Sequence, residues 1–317
     1  MPFKMVILPP GFQHQWPELI REAVPGVEVV VRPDVPSARD EIADADAAYG
    51  TIPAELLARA QRLRWLQAPA AGPPAGWYYP ELVAHPVQVT NFREIYNDHL
   101  GAHIMAFVLA FSRGMHVYVR RQARHEWNPD APLVHLPEAT AVLVGVGGIG
   151  AETARMLSAF GVSVLGVDPR RASPPPGLKS MHLPSELDEL LPGADFVIST
   201  VPETPATQRL FTRDRLRRMK PSAFLINISR GAVVVLDDLA AAISAGEIAG
   251  AGLDVFEQEP LPADHPLWDL PGVLITPHMG GEGPYLQERR TEILLENCRR
   301  FETGRPLRNL VDKAQWF

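Results

Sequence analysis

Short apolar runs alternate with longer stretches of helical spacing along almost the whole chain. Met5–Leu8, Val27–Val31, Ala47–Tyr49, Trp65–Gln67 and Val87–Thr90 are compact and apolar, as strands buried on both faces of a parallel sheet are. Helical patterns such as Pro53–Leu63 lie between them, and the pairs Pro9-Pro10 and Pro73-Pro74 punctuate the loops. From Asp98 to about Arg121 the spacing predicts one long helix, with Ile104, Phe107, Val108 and Phe111 on one face and Leu100 and Val117 extending it. The alternation then resumes, with strands at Ala141–Val144, Val162–Val167, Phe196–Thr200, Ala223–Asn227, Ala251–Asp254 and Val273–Ile275. Helices are predicted at Ala151–Phe160, Ser185–Leu191, Thr212–Met219 and Leu236–Ala245; Gly161 is placed to cap the first, and Ser185 and Asp188 stand at capping-box spacing in the second. This pattern predicts an α/β protein with doubly wound parallel sheets. A length of 317 residues suits two domains. We read 105–285 as one domain inserted in the chain, and the last strong helix, Leu286–Phe301, as a return to the first, so that 1–104 and 286–317 form the other.

The densest signal runs from Thr140 to Asp168. An apolar strand enters Gly145-Val146-Gly147-Gly148-Ile149-Gly150, a G-x-G-x-x-G, and a helical stretch and second strand follow, ending on the acid Asp168. In a dinucleotide site the first glycine allows a tight turn, the second lets the backbone approach a pyrophosphate, and the third lets helix and strand pack closely. Amides and dipole at the helix start then hold phosphate, and a carboxylate at Asp168 accepts hydrogen bonds from the adenosine ribose.

Composition narrows the classes further. A net charge of −7 and a pI near 5.8 argue against a nucleic-acid surface; the run Arg120, Arg121, Arg124 reads as a solvated helix face. Cys298 is the only cysteine, so no internal disulfide forms. No apolar stretch reaches the ~20 residues of a membrane span, and the N-terminus lacks a signal-peptide layout, so a cytoplasmic protein is expected. No His/Cys/Asp set has metal-ligand spacing, and no metal is expected.

In an open parallel sheet, ligands sit beyond the carboxyl ends of the strands. Three later strands end on Asn227-Ile228-Ser229-Arg230-Gly231, Leu253-Asp254-Val255-Phe256-Glu257-Gln258-Glu259-Pro260 and Ile275-Thr276-Pro277-His278-Met279-Gly280-Gly281. An arginine, carboxylates and a histidine thus collect on one edge. Reduction of a 2-oxo acid needs an acid for the developing alkoxide, which histidine supplies near neutral pH. A neighbouring carboxylate keeps that histidine protonated, and a guanidinium suits a carboxylate.

With these motifs in order, the sequence resembles the D-isomer-specific 2-hydroxyacid dehydrogenase family, over nearly the whole chain and most densely from Leu143 to Gly281. The resemblance implies a Rossmann NAD-binding domain inserted into a flavodoxin-like substrate domain, and hydride transfer between a nicotinamide and a small 2-oxo or D-2-hydroxy acid such as glyoxylate or hydroxypyruvate. It implies that Arg230 binds and polarises substrate, that His278 is the acid/base and also contacts substrate, and that Glu259 pairs with it; Glu259, directly before Pro260, is favoured over Glu257. Asp254 would help hold the nicotinamide end, Thr200, Val201, Pro202 and Ser229 would line the cofactor cleft with Gly145, Gly147, Gly148, Ile149 and Gly150, and the amides of Ala71 and Gly72 would meet the substrate carboxylate. His103 belongs to the helix between domains; with His99, His116, His125, His135 and His182 it lacks a partnered motif and reads as structural. Relatives are mostly homodimers, and His125–Pro137 would be the arm that reaches across.

Two departures bear on substrate. Pro73-Pro74 follows Gly72 where relatives carry a hydrophobic residue and an acid, and prolines donate no backbone hydrogen bond. Glu282 follows Gly280-Gly281 where many relatives have small or hydroxylated residues. Asp168 favours NAD, whereas Arg170 and Arg171 would allow NADP by reaching its extra phosphate. The alternative reading is an NADH-sensing regulatory protein of the same fold; a formate or phosphite dehydrogenase is a weaker one, because formate enzymes of this superfamily pair the histidine with glutamine.

Overall fold

The computed structural model describes residues 3–72, 76–170 and 173–315; Pro73, Pro74 and Arg171 lie outside the described residues. The chain divides into two compact units, Met1–Ile95 with Pro284–Phe317, and Tyr96–Gly283. The crossings fall at Ile95/Tyr96 and Gly283/Pro284 rather than at 104/105 and 285/286, because the helix Asn97–Ser112 belongs as a whole to the second unit.

The first unit holds five parallel strands, β1 (Lys4–Ile7), β2 (Glu28–Val31), β3 (Ala47–Tyr49), β4 (Trp65–Gln67) and β5 (Gln88–Thr90), in the order β2-β1-β3-β4-β5. This is the flavodoxin-like order. Strand residues on both faces are buried, including Trp65, Leu66 and Tyr49 at 0 % exposure. Apolar runs of three or four residues are therefore enough to specify these strands. The helix Leu286–Glu302 packs here, and Trp16 donates its indole hydrogen to Thr291 Oγ1 at 2.8 Å. The predicted helix Pro53–Leu63 contracts to Ala54–Leu57, since the chain must turn to enter β4.

The second unit carries seven parallel strands: β6 (Thr140–Val144), β7 (Ser163–Val167), β8 (Ser180–His182), β9 (Phe196–Ser199), β10 (Phe224–Asn227), β11 (Gly250–Leu253) and β12 (Val273–Ile275). Their order, β12-β11-β10-β9-β6-β7-β8, reverses direction between β6 and β9, and a topological switch point of this kind is where a doubly wound sheet binds its ligand. The two sheets with their flanking helices make the chain an α/β protein with a Rossmann unit inserted into a flavodoxin-like one. Strand β8 is absent from the sequence pattern. It is a three-residue edge strand, Ser-Met-His, with no residue fully buried, so it has no apolar run to announce it.

Three further features differ from the sequence reading. The long helix breaks after Ser112 and restarts as Met115–Ala123, bent by 72°. Gly114 turns the chain there with φ +66, and a side chain at that position would meet the Ala131 methyl at 2.8 Å. The capping interaction before Leu187–Leu190 comes from Glu186, whose carboxylate accepts the Leu183 N–H at 2.7 Å. Asp188 instead accepts from Arg215 at 2.6 Å. Finally, Arg120 is not simply solvated. Its guanidinium donates to the carbonyls of Pro271 and Val273, both at 2.9 Å, and ties its helix to β12. Among the described residues, no single helix is long and apolar enough to cross a membrane.

Candidate active site

The site begins at the glycine turn. Strand β6 ends at Val144 and Gly145 turns with φ +95. A side chain on Gly145 would press on the Thr200 and Val201 backbone at 3.0 Å, so the turn and the end of β9 pack backbone to backbone. Thr200 seals this contact by donating to the Gly145 carbonyl at 2.7 Å. Helix Gly148–Ala159 starts immediately, and a Cβ on Gly150 would fall on that same Gly145 carbonyl. Gly147 is the opposite case: a Cβ there would meet nothing within 4 Å. Its bareness leaves a cradle above the first amides of the helix, which fits a pyrophosphate. Gly148 faces the Asn97 side chain, whose Nδ2 would lie 2.6 Å from an added Cβ. Ile149 packs partly into the apolar layer with Val164 and Ile198. Pro202 is exposed, and its carbonyl accepts from Thr207 Oγ1 at 2.7 Å.

Asp168, one residue past β7, is 5 % exposed. Its Oδ2 accepts from Val146 N–H at 3.0 Å and Arg170 Nη2 at 2.9 Å; its Oδ1 accepts from the Arg170 amide at 3.0 Å and Nε at 2.8 Å. Burial works against its charge, but the Arg170 and Val146 hydrogen bonds outweigh it and hold the carboxyl below the ordinary aspartate range.

Beyond β10, Asn227 gathers the next turn. Its Oδ1 accepts both Ser229 N–H at 3.1 Å and Ser229 Oγ–H at 2.6 Å, and its Nδ2 donates to the Arg230 carbonyl at 3.1 Å. Ser229 is thereby buried, with its hydroxyl also 3.0 Å from Ser199 Oγ. Arg230 follows, half-buried, with Nη1 donating to the Ser229 carbonyl at 2.6 Å. Burial lowers its pKa, opposed by the negative charges of Glu203 and Glu259; a guanidinium stays charged regardless. Gly231 has no room for a side chain, because a Cβ would overlap the Phe256 carbonyl group. The Arg230 turn therefore lies directly on the backbone of the segment that carries Glu259.

The two glutamates separate cleanly. Glu257 accepts the Leu236 N–H at 3.1 Å, at the start of the helix Leu236–Ser244. Glu259 accepts the Phe256 N–H on Oε1 at 3.0 Å and meets His278 Nδ1 with Oε2 at 2.7 Å. Both members of this pair keep solvent access, 37 % for Glu259 and 48 % for His278. With Nδ1 engaged, Nε2 is the ring nitrogen left to face a reactant.

Asp254 holds the histidine loop from beneath. It is 1 % exposed, and its carboxylate accepts from Thr276 Oγ1 at 2.6 Å, Met279 N–H at 2.9 Å and Gly280 N–H at 2.9 Å. Its own carbonyl accepts the His278 N–H at 2.8 Å. His278 sits at φ +51, a left-handed conformation that costs an L residue about 1–2 kcal/mol and persists only where its surroundings impose it. His103, which carries no motif, lies 2.9 Å from Thr276 Oγ1 and 3.6 Å from Asp254 Oδ1 through Nε2. Asn227, Thr276 and His103 are the parts that sequence reasoning misses. Asn227 and Thr276 lie inside segments that the motifs single out, whereas only folding brings His103 to this loop. In the first unit, the loop after β4 carries Ala71 and Gly72, and buried Asn91 donates to the Ala71 carbonyl at 2.8 Å.

Comparison with known proteins bears on this geometry. The sequence profile described as "D-isomer specific 2-hydroxyacid dehydrogenase, NAD binding domain" matches residues 105–280. A glyoxylate reductase of Korarchaeum cryptofilum is 33 % identical over 306 residues, covering 92 % of this chain and 88 % of its own. Among solved structures, an NADPH-dependent glyoxylate/hydroxypyruvate reductase from Sinorhizobium meliloti, in complex with NADP and sulfate, superposes with TM-score 0.83 at 27 % identity, over 99 % of this chain and 100 % of that one. A D-isomer specific 2-hydroxyacid dehydrogenase from Xanthobacter autotrophicus, in complex with NADPH and MES, gives TM-score 0.84 at 28 % identity over 100 % of both chains. With the glycine cradle, the strand order and the histidine loop in place, the chain belongs to the D-isomer specific 2-hydroxyacid dehydrogenase family and is an NAD(P)-dependent dehydrogenase.

Proposed function

We propose that the protein reduces a small 2-oxo acid of the glyoxylate or hydroxypyruvate class to its D-2-hydroxy acid, with NAD(H) as the preferred cofactor. The observation that carries the proposal is the 2.7 Å His278–Glu259 pair on the same sheet edge as the Arg230 turn and in the same unit as the glycine cradle. A bound reduced nicotinamide supplies the hydride. The bare Gly147 and the first amides of helix Gly148–Ala159 hold the pyrophosphate, Asp168 takes the adenosine ribose, and Thr200, Val201, Pro202 and Ser229 shape the rest of the cleft. Arg230 anchors the substrate carboxylate and polarises the 2-oxo group.

His278 performs the proton step. Glu259 fixes the ring through Nδ1, so that Nε2–H points at the oxygen on which negative charge develops. In the oxidative direction the same nitrogen takes the proton back. Asp254 acts here through the loop it holds, as a positioning residue.

We also read the protein as a homodimer built through the second unit. Trp127 is fully exposed, and Leu133 and Val119 are more than half exposed on and beside the His125–Pro137 arm, an apolar display that monomers rarely leave open. Sedimentation velocity of the wild type and of Trp127→Ser tests it; a wild-type monomer at micromolar concentration contradicts it.

Oxidation of NADH, with NADPH in parallel, across glyoxylate, hydroxypyruvate, pyruvate and 2-ketogluconate tests the main reading. His278→Ala and Arg230→Ala each remove most turnover and leave NADH binding near the wild-type value. Loss of NADH binding in both variants would contradict their assigned roles. A wild type that binds NADH tightly but turns over none of the acids would favour a regulatory binding protein instead.

A further inference from the structure

We propose that Asn97 is a cofactor-binding residue: its carboxamide overhangs the glycine turn and donates to the pyrophosphate of a bound dinucleotide. The inference rests on the reading of the second unit as a dinucleotide site. The turn itself holds only glycines, Val146 and Ile149, so it offers phosphate its backbone amides and no polar side chain. The helix Asn97–Ser112 supplies one. A Cβ on Gly148, the first residue of helix Gly148–Ala159, would lie 2.6 Å from Asn97 Nδ2, 2.9 Å from Oδ1 and 3.1 Å from Cγ. The carboxamide therefore fills the space that a side chain at position 148 would take, next to the bare Gly147.

Packing fixes it there. One turn along the same face of its helix, Gly101 is buried against the second helix, where a Cβ would meet Met156 Sδ at 3.2 Å and Glu152 Cγ at 3.4 Å. Asn97 thus stands over position 148 as Gly101 stands over 152 and 156, and a glycine at each contact brings the two helices close. Asn97 is half-buried, and its carboxamide makes no hydrogen bond among the described residues. It carries two N–H donors on one nitrogen, and its terminal torsion is broad and nearly two-fold. The amino group turns toward an anion without a change in the volume the side chain occupies. A donor already in place loses little freedom on binding, and it adds to the amides and dipole of the helix start.

The test measures NADH dissociation constants by nicotinamide fluorescence on the full chain, together with calorimetric melting in the absence of cofactor. Wild type is compared with Asn97→Ala and Asn97→Asp. Loss of a hydrogen bond to a charged group weakens NADH about tenfold or more in Asn97→Ala. Asn97→Asp keeps the shape but sets a carboxylate against phosphate, and weakens NADH further. Both variants melt within about 3 °C of wild type without cofactor. NADH constants within about twofold of wild type in both variants overturn the role of Asn97 and leave the dinucleotide site intact. NADH bound by Asn97→Asp as tightly as by Asn97→Ala also overturns it, because the side chain then does not face phosphate. So does weakened binding accompanied by a fall of about 10 °C or more in cofactor-free melting, since Asn97 is then holding the helix pair. Failure of the wild type to bind NADH overturns the dinucleotide reading and this inference with it.

Discussion

Asp254→Asn isolates the support of the histidine loop. Asn is nearly isosteric with Asp but carries one acceptor oxygen and one amino group. If its oxygen keeps Thr276 Oγ1–H and Met279 N–H, its amino group faces the Gly280 N–H, and a buried donor meets a donor. One hydrogen bond to a charged acceptor is then lost, about 1.5–3 kcal/mol, and the other two weaken as their acceptor loses its charge. Relief of the cost of burying a carboxylate returns part of this. A net loss of about 2–4 kcal/mol lowers the melting temperature of a unit this size by roughly 5–12 °C. The same change frees the His278 backbone from its imposed left-handed turn, and displacement of an acid by about 1 Å costs on the order of 100-fold in rate. Calorimetry of the full chain and steady-state kcat with NADH and glyoxylate give the two readouts. Melting within about 1 °C of wild type and kcat within about twofold would refute the reasoning. A third pattern is informative: unchanged melting with weakened NADH binding would mean that Asp254 contacts the nicotinamide rather than the loop.

Other substitutions separate the remaining parts of the site. Glu259→Gln should leave melting within a few degrees, since a pair this exposed contributes at most about 1 kcal/mol, while kcat falls by roughly 100-fold or more; equal wild-type rates across the pH range would remove Glu259 from the mechanism. Gly147→Ala should fold normally and bind NADH at least about tenfold more weakly, because its Cβ fills the phosphate cradle. Gly150→Ala should be destabilised by several kcal/mol whether or not cofactor is present, because its Cβ strikes the Gly145 carbonyl; urea unfolding and fluorescence titration distinguish the two. Burial, aided by nearby Arg120 against a weak Ala110 carbonyl contact, lowers the pKa of His116 below 6.5. The unfolded chain then binds more protons than the folded one between that lowered value and 6.5, so this histidine's contribution is present above 6.5 and is lost as pH falls through the window. Urea midpoints between about pH 8 and about pH 5 should show less of this acid loss in His116→Phe.

The parts of this molecule that sequence makes legible are those whose physics is local. An apolar run closing on a glycine turn needs no distant partner to be read, and β6 with its glycines stands where the pattern puts it. The preference for Glu259 over Glu257 comes instead from the family resemblance, through its place before Pro260; in the fold one lies beside His278 and the other at a helix start. What escapes reading depends on contacts far apart in the chain. Edge strand β8 is polar and borrows its register from β7. The break at Gly114 reflects a neighbour, Ala131, that helical spacing cannot reveal. His103 passes as one histidine among several because Asp254 and Thr276, its neighbours, arrive from more than 150 positions downstream. In the sequence Asp168 stands as a free acceptor for ribose, and its saturation by Arg170 exists only in the folded turn.

The contact of Gly231 with the Phe256 carbonyl has an implication for how this enzyme can be diversified. Side chains that touch can shift by changing rotamer, but two main chains in van der Waals contact have no such slack. Arg230 and Glu259 are thus welded into one plate. A substitution that moves either drags the other with it, and with Glu259 its partner His278. Changes in side chains beside the plate are better tolerated than changes in the plate itself.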